Sequence, residues 1–433
     1  MDNLDAARLQ MAFTLMFHIV FACIGMVMPF FMVVSHFKWL KTRNPIYLTL
    51  TKAWQKGVAI FFVTGAVSGT ALSFELGLLW PGFMKHAGPI IGMPFSLEGA
   101  AFFVEALAIG FYLYGWNKIN EKFHWLTGVI VGVSGVASGI LVVSANSWMN
   151  APSGFDYING QYVNIDPVKA LLNDAWFSQA LHMTLAAFAA TGFAVAGIHA
   201  WQVYRKHNPA VHAKAFHIAI IFGGIAALLQ PLSGDIAAKD VAKRQPVKLA
   251  AMEAHYETEK GAPLYIGGIV DEKNKTVSHK IEITKGLSFL SFGDFDAEVK
   301  GLNDFPKDEL PPVAIPHYAF QVMVGMGGIM ALAALFYFIS VRKRKWWENS
   351  KFWLLFAILA PTGYIALEAG WVVTEVGRQP WIIHKVMRTK DAVTPMPGMI
   401  YSFWFYVLLY TILTLTVIWL MRRQIKVLNQ KVD

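Results

Sequence analysis

Gly370-Trp371-Val372-Val373-Thr374-Glu375-Val376-Gly377-Arg378-Gln379-Pro380-Trp381 is the stretch on which the reading of this chain turns. An apolar helix runs into it, carries a carboxylate out on its last turn, and meets an arginine, a proline and a tryptophan. Thr374 to Trp381 reads as the end of a membrane span, with Pro380 as the stop. Glu375 is the anomaly, because an ionisable side chain near the end of an apolar helix needs a partner. One reading is a Glu375–Arg378 ion pair that closes the helix at headgroup level. The other gives the carboxylate a functional partner.

The rest of the chain belongs in lipid. Of its 433 residues 55% are hydrophobic and only 15% charged, with a mean hydropathy of +0.44; a soluble chain carries about 25% charged residues. The net charge of +9 would suit nucleic acid, but the basic residues sit between apolar runs, where membrane topology explains them. No nucleic-acid partner is expected. The single cysteine, Cys23, excludes an internal disulfide, a Cys-x-x-Cys-His haem attachment and an iron–sulfur cluster built from this chain alone. The first apolar run is long and follows acidic Asp2 and Asp5, the wrong flank for a cleavable leader.

Runs long enough to span a bilayer fall at roughly 11–35, 54–78, 95–116, 124–147, 178–203, 214–234, 315–340, 352–375 and 398–421. The expected fold is therefore an all-α integral membrane protein of nine transmembrane helices. Lys38, Lys41, Arg43 and Lys52, then Lys118 and Lys122, then Arg205, Lys206 and Lys214, then Arg342 to Lys345 and Lys351, follow spans one, three, five and seven. Arg422, Arg423 and Lys426 follow span nine. The positive-inside rule places the N-terminus outside and the C-terminus in the cytoplasm, against the trend only of Arg378, Lys385, Arg388 and Lys390 after span eight. The chain then divides into helices one to six (1–234), a long extracytoplasmic segment (235–314) and helices seven to nine (315–433), in one membrane domain. Loops of that length are functional or disordered.

With orientation assigned, depth follows from a rise of about 1.5 Å per residue. His18 lies about seven residues into span one, His182 about four into span five and Met323 about eight into span seven, all from the outside. Glu98 opens span three from the outside, Glu105 follows two turns later on nearly the same face, and Glu375 closes span eight. His199 and His217, nearer the cytoplasmic ends, read as interfacial. Each residue has a plain alternative: a lone His is packed and hydrogen-bonded, and Met fills membrane cores. Glu98 and Glu105 are harder to dismiss, since a carboxylate in a span costs several kcal/mol unless paired, protonated or hydrated. Gathered at one depth, the imidazoles, thioether and carboxylates suit haem iron: His with Met for a six-coordinate electron-transferring haem, a second His and a carboxylate for haems with an open position.

The closing motif Gly377-Arg378-Gln379-Pro380-Trp381, after Trp371 and Glu375, resembles the quinol-oxidising signature of the large subunit of cytochrome bd-type quinol oxidases. Arg8-Leu9-Gln10 leading to His18 is similar to that family's first helix. Glu98-Gly99-Ala100-Ala101-Phe102-Phe103-Val104-Glu105 resembles its paired-carboxylate helix. Leu181-His182 and Val322-Met323-Val324-Gly325 match the helices that supply the axial ligands of its low-spin haem b, and Lys248-Leu249-Ala250-Ala251-Met252-Glu253 resembles its quinol-loop motif.

The resemblance implies a bacterial cytoplasmic-membrane enzyme that oxidises ubiquinol or menaquinol on the outer face and reduces O2 to water. It implies low-spin haem b on His182 and Met323, and a high-spin haem b and haem d on His18 and Glu375 in either order. Glu98 would sit beside that pair, Glu105 would deliver protons from the cytoplasm without a pump, and Lys248, Glu253, Trp371 and Arg378 would serve quinol oxidation. It implies a second membrane subunit, and a small single-span accessory subunit beside it. Two features depart from the pattern: Gln321 stands where a basic residue is expected, and the loop is of the short form. Some short-loop relatives resist cyanide and carry a third haem b in place of haem d.

Rival readings fit less well. A heme–copper oxidase subunit would want an adjacent His-His pair, and none exists. A bis-histidine cytochrome b needs His pairs repeated on two spans, which the spans as bounded do not offer. A proton-coupled transporter or haem-free membrane scaffold using Glu98 and Glu105 remains as the alternative from another class.

Overall fold

The computed structural model describes residues 2–159, 161–342 and 349–430. Lys343, Arg344 and Lys345, part of the basic connection after span seven, lie outside the described residues. The helices are α1 (Asn3–Thr42), α2 (Pro45–Leu79), α3 (Pro81–Tyr114), α4 (Glu121–Asn150), α5 (Pro167–Leu171), α6 (Trp176–Tyr204) and α7 (Pro209–Arg244). After them come α8 (Pro246–Met252), α9 (Gly286–Phe292), α10 (Ala314–Arg342), α11 (Ser350–Ile358), α12 (Thr362–Val376), α13 (Thr389–Ala392) and α14 (Met399–Asn429). Among the described residues nine helical segments are long and apolar enough to cross a membrane, α11 and α12 together making one.

Local chemistry sets the helix ends. Asp2 caps α1 by accepting from the Asp5 amide at 2.7 Å, and Asn44 caps α2 ahead of Pro45, whose missing N–H costs nothing in the first turn. Arg43 ends α1 in the left-handed region, φ 54°.

Several helices outrun the apolar runs. The third begins at Pro81, so Glu98 lies in its middle and does not open it; Pro89 and Pro94 are carried inside the helix. The seventh continues to Arg244, which makes Asp240, Lys243 and Arg244 helical rather than loop residues. The expected eighth span is broken at Leu359-Ala360-Pro361, because a proline in a helix interior removes a hydrogen bond and clashes with the preceding turn. The stop after Glu375 comes at Gly377, before Pro380 is reached.

The longer first helix also changes the histidine count, whereas His182 and His199 already fall together within span five, 178–203. Helix α1 carries His18 and His36, and α6 carries His182 and His199. The absence of repeated His pairs therefore fails as an argument against a bis-histidine cytochrome. His36 Nδ1 is bonded to the Tyr112 hydroxyl at 2.9 Å, and His199 Nδ1 to His212 Nδ1 at 2.7 Å. His199, five residues before the end of α6, is 2% exposed and packed inside the bundle, and His217 is bonded to the Tyr337 hydroxyl at 3.0 Å.

Helices α1 to α4 pack as one group and α6, α7, α10 and α11–α12 as another; α1 and α4 touch α6, and α14 lies against α1 and α2. In lipid such contacts depend on close backbone approach. At the α6–α7 crossing a methyl on Gly192 would lie 2.6 Å from the Gly223 nitrogen. Residues 245–313 form a cap over one end of the bundle, here called the loop end. It is ordered: α8, α9 and short antiparallel strand pairs bury Ala250, Ala251, Leu287, Val299 and Leu302.

Candidate functional site

Both candidate imidazoles are held the same way. His18 Nδ1 lies 2.9 Å from Ser68 Oγ, and His182 Nδ1 lies 3.0 Å from Ser233 Oγ. A hydroxyl has one hydrogen, and each serine spends it on a carbonyl one turn back: Thr64 for Ser68 (2.9 Å) and Gln230 for Ser233 (2.9 Å). With each serine hydrogen on that carbonyl, the neutral imidazole donates from Nδ1 and keeps its lone pair on Nε2. That is the tautomer a metal-binding histidine needs, fixed by the partner of its other nitrogen. The Gln230 amide stands 3.3 Å from His182 Nε2.

Met323 places its sulfur against α12 where Gly370 has no side chain; a methyl there would lie 3.0 Å from Sδ. The glycine that opens the decisive stretch is thus a seat for the thioether. On α12, Glu368, Trp371 and Glu375 recur at i, i+3 and i+7, one helix face, and Arg378 follows just past the helix end.

Glu375 makes the pair that its sequence neighbourhood announced. Arg378 Nη2 donates to its Oε2, and Asn146 Nδ2 on α4 donates to its Oε1 at 2.6 Å. Behind Asn146 the donors continue in one direction. Asn150 Nδ2 donates to Asn146 Oδ1 (3.2 Å), and Lys248 Nζ donates to Asn150 Oδ1 (2.8 Å). Gln245 anchors Asn150 through its backbone carbonyl at 2.9 Å. A hydrogen-bonded line therefore joins the loop lysine to the span-eight carboxylate through two asparagines. Gly377 makes room for it, since a methyl there would meet Lys248 Cγ at 3.1 Å.

The loop residues are buried. Lys248 is 5% exposed; burial first, then the nearby Arg378 guanidinium, pulls its ammonium down to about 7, with Glu375 opposing. Burial pushes the Glu253 carboxyl up to about 8. Glu253 Oε2, His255 Nε2 and the Tyr256 hydroxyl are buried with no hydrogen bond, and so are Arg378 Nε and Nη1, Trp371 Nε1 and both oxygens of Glu368. Buried polar atoms left bare are costly, so such a concentration marks places where further partners bind.

Glu98 and Glu105 both face α4: Ser138 Oγ donates to Glu98 Oε1 at 3.0 Å, and Glu105 lies against Gly135. Gln321, the departure from the basic residue, ties helix to cap. Its amide donates to the Tyr265 carbonyl at 2.9 Å, and its Oε1 accepts from the Gly267 amide at 3.1 Å.

The chemistry of this donor set fits haem. Two imidazoles are tautomerically prepared, a thioether is seated, and a carboxylate ends a helix beside an arginine with two unused donors, the kind of group that receives a propionate. Glu375 already has a partner on each oxygen, but each oxygen has two lone pairs, so iron ligation and the Asn146 and Arg378 bonds are compatible.

The model of the cytochrome bd terminal oxidase subunit I family matches residues 6–428. The chain belongs to that family. It is similar to a protein of Bacillus subtilis named putative cytochrome bd menaquinol oxidase subunit I, 36% identical over 97% of this chain and 96% of the relative. A second B. subtilis relative, cytochrome bd ubiquinol oxidase subunit 1, is 31% identical over 98% of this chain and 94% of its own length. A chain of the bd oxidase structure from Geobacillus thermodenitrificans superposes with a TM-score of 0.93 at 36% identity, 98% of each chain being covered. The protein is thus a multi-pass membrane subunit of a terminal quinol oxidase, of a haem-binding family whose members work in multi-subunit complexes on quinol and oxygen.

Sequence reasoning overlooked several polar residues besides Ser68 and Ser233. Glu368 and Glu75 lie in apolar runs and answer to the rule that singles out Glu98. Asn146 and Asn150 stand four apart near the end of span four, where polar residues are common, and only the fold sets them between Lys248 and Glu375.

Proposed function

We propose that quinol is oxidised beneath the cap at the loop end, with Lys248 and Glu253 as its proton acceptors and with Trp371 and Arg378 at the head of span eight. The observation that carries this is the hydrogen-bonded line from Lys248 through Asn150 and Asn146 to Glu375 and Arg378. A lysine near 7 and a carboxyl near 8 are matched to proton transfer at neutral pH. The bare atoms of Glu253, His255 and Tyr256 offer a hydroxylated ring its hydrogen bonds. The quinol is of the menaquinol or ubiquinol class named for the relatives.

His182 and Met323 hold the low-spin haem b, and His18 and Glu375 hold the two high-spin haems, one b and the other d or a third b. These groups supply one-electron transfer and the open coordination position that oxygen reduction needs. Ser68 and Ser233 keep the imidazoles in the ligating tautomer, Gly370 positions the Met323 sulfur, and Arg378 holds Glu375 in place. The loop end faces the outside of a bacterial cytoplasmic membrane, as the basic residues at the other end support. Glu98 and Glu105 conduct protons from the cytoplasmic side toward the oxygen site, which conserves energy without a pump. A second membrane subunit completes the oxidase, with a small single-span subunit beside it.

The test is a dithionite-reduced minus air-oxidised spectrum of the purified oxidase, with the haems extracted and identified by mass. Haem b with a chlorin signal fixes the b/d form, and haem b alone the form without haem d. A haem-free complex would overturn the reading and leave a proton-coupled transporter.

A further inference from the structure

The α1–α2 interface holds a buried carboxylate that quinol oxidation does not use. Glu75 is 1% exposed and lies four residues before the loop-end terminus of α2. Its Oε1 accepts from Gln10 Nε2 at 3.1 Å and from Thr14 Oγ1 at 2.9 Å, both on α1. Its Oε2 is buried and bonded to nothing. Tyr406 and Tyr410 face it from α14, and the Tyr410 hydroxyl is also buried and bare.

Gln10, Thr14 and His18 stand at i, i+4 and i+8 on one face of α1, and Ser68 and Glu75 are two turns apart on α2. The Ser68–His18 bond and the two bonds to Glu75 therefore belong to a single polar seam, about 10 Å long on the helix rise. The seam's shorter way to water is toward the loop end, about 6 Å from Glu75 by the same rise.

A buried carboxylate needs a cation, a proton or water. None of the ion pairs among the described residues includes Glu75. The groups facing it, Gln10 and Thr14 from α1 and Tyr406 and Tyr410 from α14, are uncharged at neutral pH. The anion has two donors to spread its charge, and the bare Oε2 can carry a proton. The site thus accommodates both forms, and His18 lies beyond Thr14 on the same seam.

We propose that Glu75 is a charge-compensating residue of the oxygen-reducing site. It is the carboxylate anion while the haem on His18 is oxidised, takes one proton from the loop-end medium when that haem gains an electron from quinol, and returns it on reoxidation. The inference rests on the reading that His18 holds a haem.

The test is made on the assembled oxidase carrying Glu75→Gln, by reduced-minus-oxidised infrared spectra and redox titration over a pH series. The expected result is loss of one carboxylic C=O band and a flattened pH dependence of the high-spin potentials, with haem content unchanged. A full haem complement with band and pH dependence both intact overturns the proposal. If Glu75→Gln fails to assemble, Thr14→Val removes one donor to Oε1 and shifts the same band; no shift overturns the proposal equally. His18→Ala separates the two readings, since retention of every haem would refute the ligand assignment itself.

Discussion

Ser68 and Ser233 do for two histidines what no sequence distance reveals. Removing either hydroxyl frees the imidazole to put its proton on Nε2, and loss of such supporting bonds costs about 10–100-fold in metal affinity. Ser233→Ala is expected to deplete the low-spin haem b signal selectively, and Ser68→Ala a high-spin signal, as measured by haem-to-protein ratio after detergent washing. The pH response belongs to the same scale. Lys248 accepts a proton only above about 7 and Glu253 only above about 8, so quinol kcat/KM rises with pH through both values. Glu253→Gln should leave only the step near 7, and Lys248→Met only the step near 8. A profile with both steps intact in either variant would remove that residue from proton acceptance.

The stretch around α12 shows how one element serves two neighbours. Gly370 lets the Met323 sulfur approach from α10, and Gly377 lets Lys248 pass from the cap. Gly370→Val is expected to displace Met323 and convert the low-spin spectrum to a high-spin one, read by optical spectroscopy of the reduced protein. Asn146→Leu breaks the line between loop and helix, and the bare oxygen left on Glu375 costs about 1–3 kcal/mol. It should therefore lower the thermal midpoint while quinol oxidation slows. The periodicity of α12 was legible, because Trp371 and Glu375 stand out against apolar residues. The break at Pro361 was also visible as a residue but was absorbed into a run that hydropathy alone made continuous. Hydropathy likewise missed the extensions of α3 and α7, whose added turns are polar or cross the loop end.

For the whole molecule, on the proposed haem assignment, the placement of candidate ligands toward one end of the bundle would set the energetics. Protons drawn from the opposite end would then cross most of the membrane, each worth about 2.3 kcal/mol per 100 mV over the full potential. Proteoliposomes are expected to take up protons at the end opposite the cap and release quinol protons at the cap. Glu105→Gln should slow oxygen consumption with all haems retained; unchanged turnover would take Glu105 off the path.

Composition and hydropathy by themselves determined a nine-span membrane protein, because a lipid solvent permits few other uses of such apolar runs. Short motifs carrying His18, Glu98, His182, Lys248, Met323 and Glu375 were enough to resemble one family. Tertiary structure alone decided which atoms work together. Lys248 and Glu375 lie 127 residues apart by number, yet Asn150 and Asn146 join them. Only packing shows that Gly370 and Gly377 are seats, that His199 is buried, and that Glu75 has one bare oxygen beside the His18 seam. Hydropathy is a sum over neighbours in the chain, whereas hydrogen-bond occupancy depends on which helices touch and at what rotation.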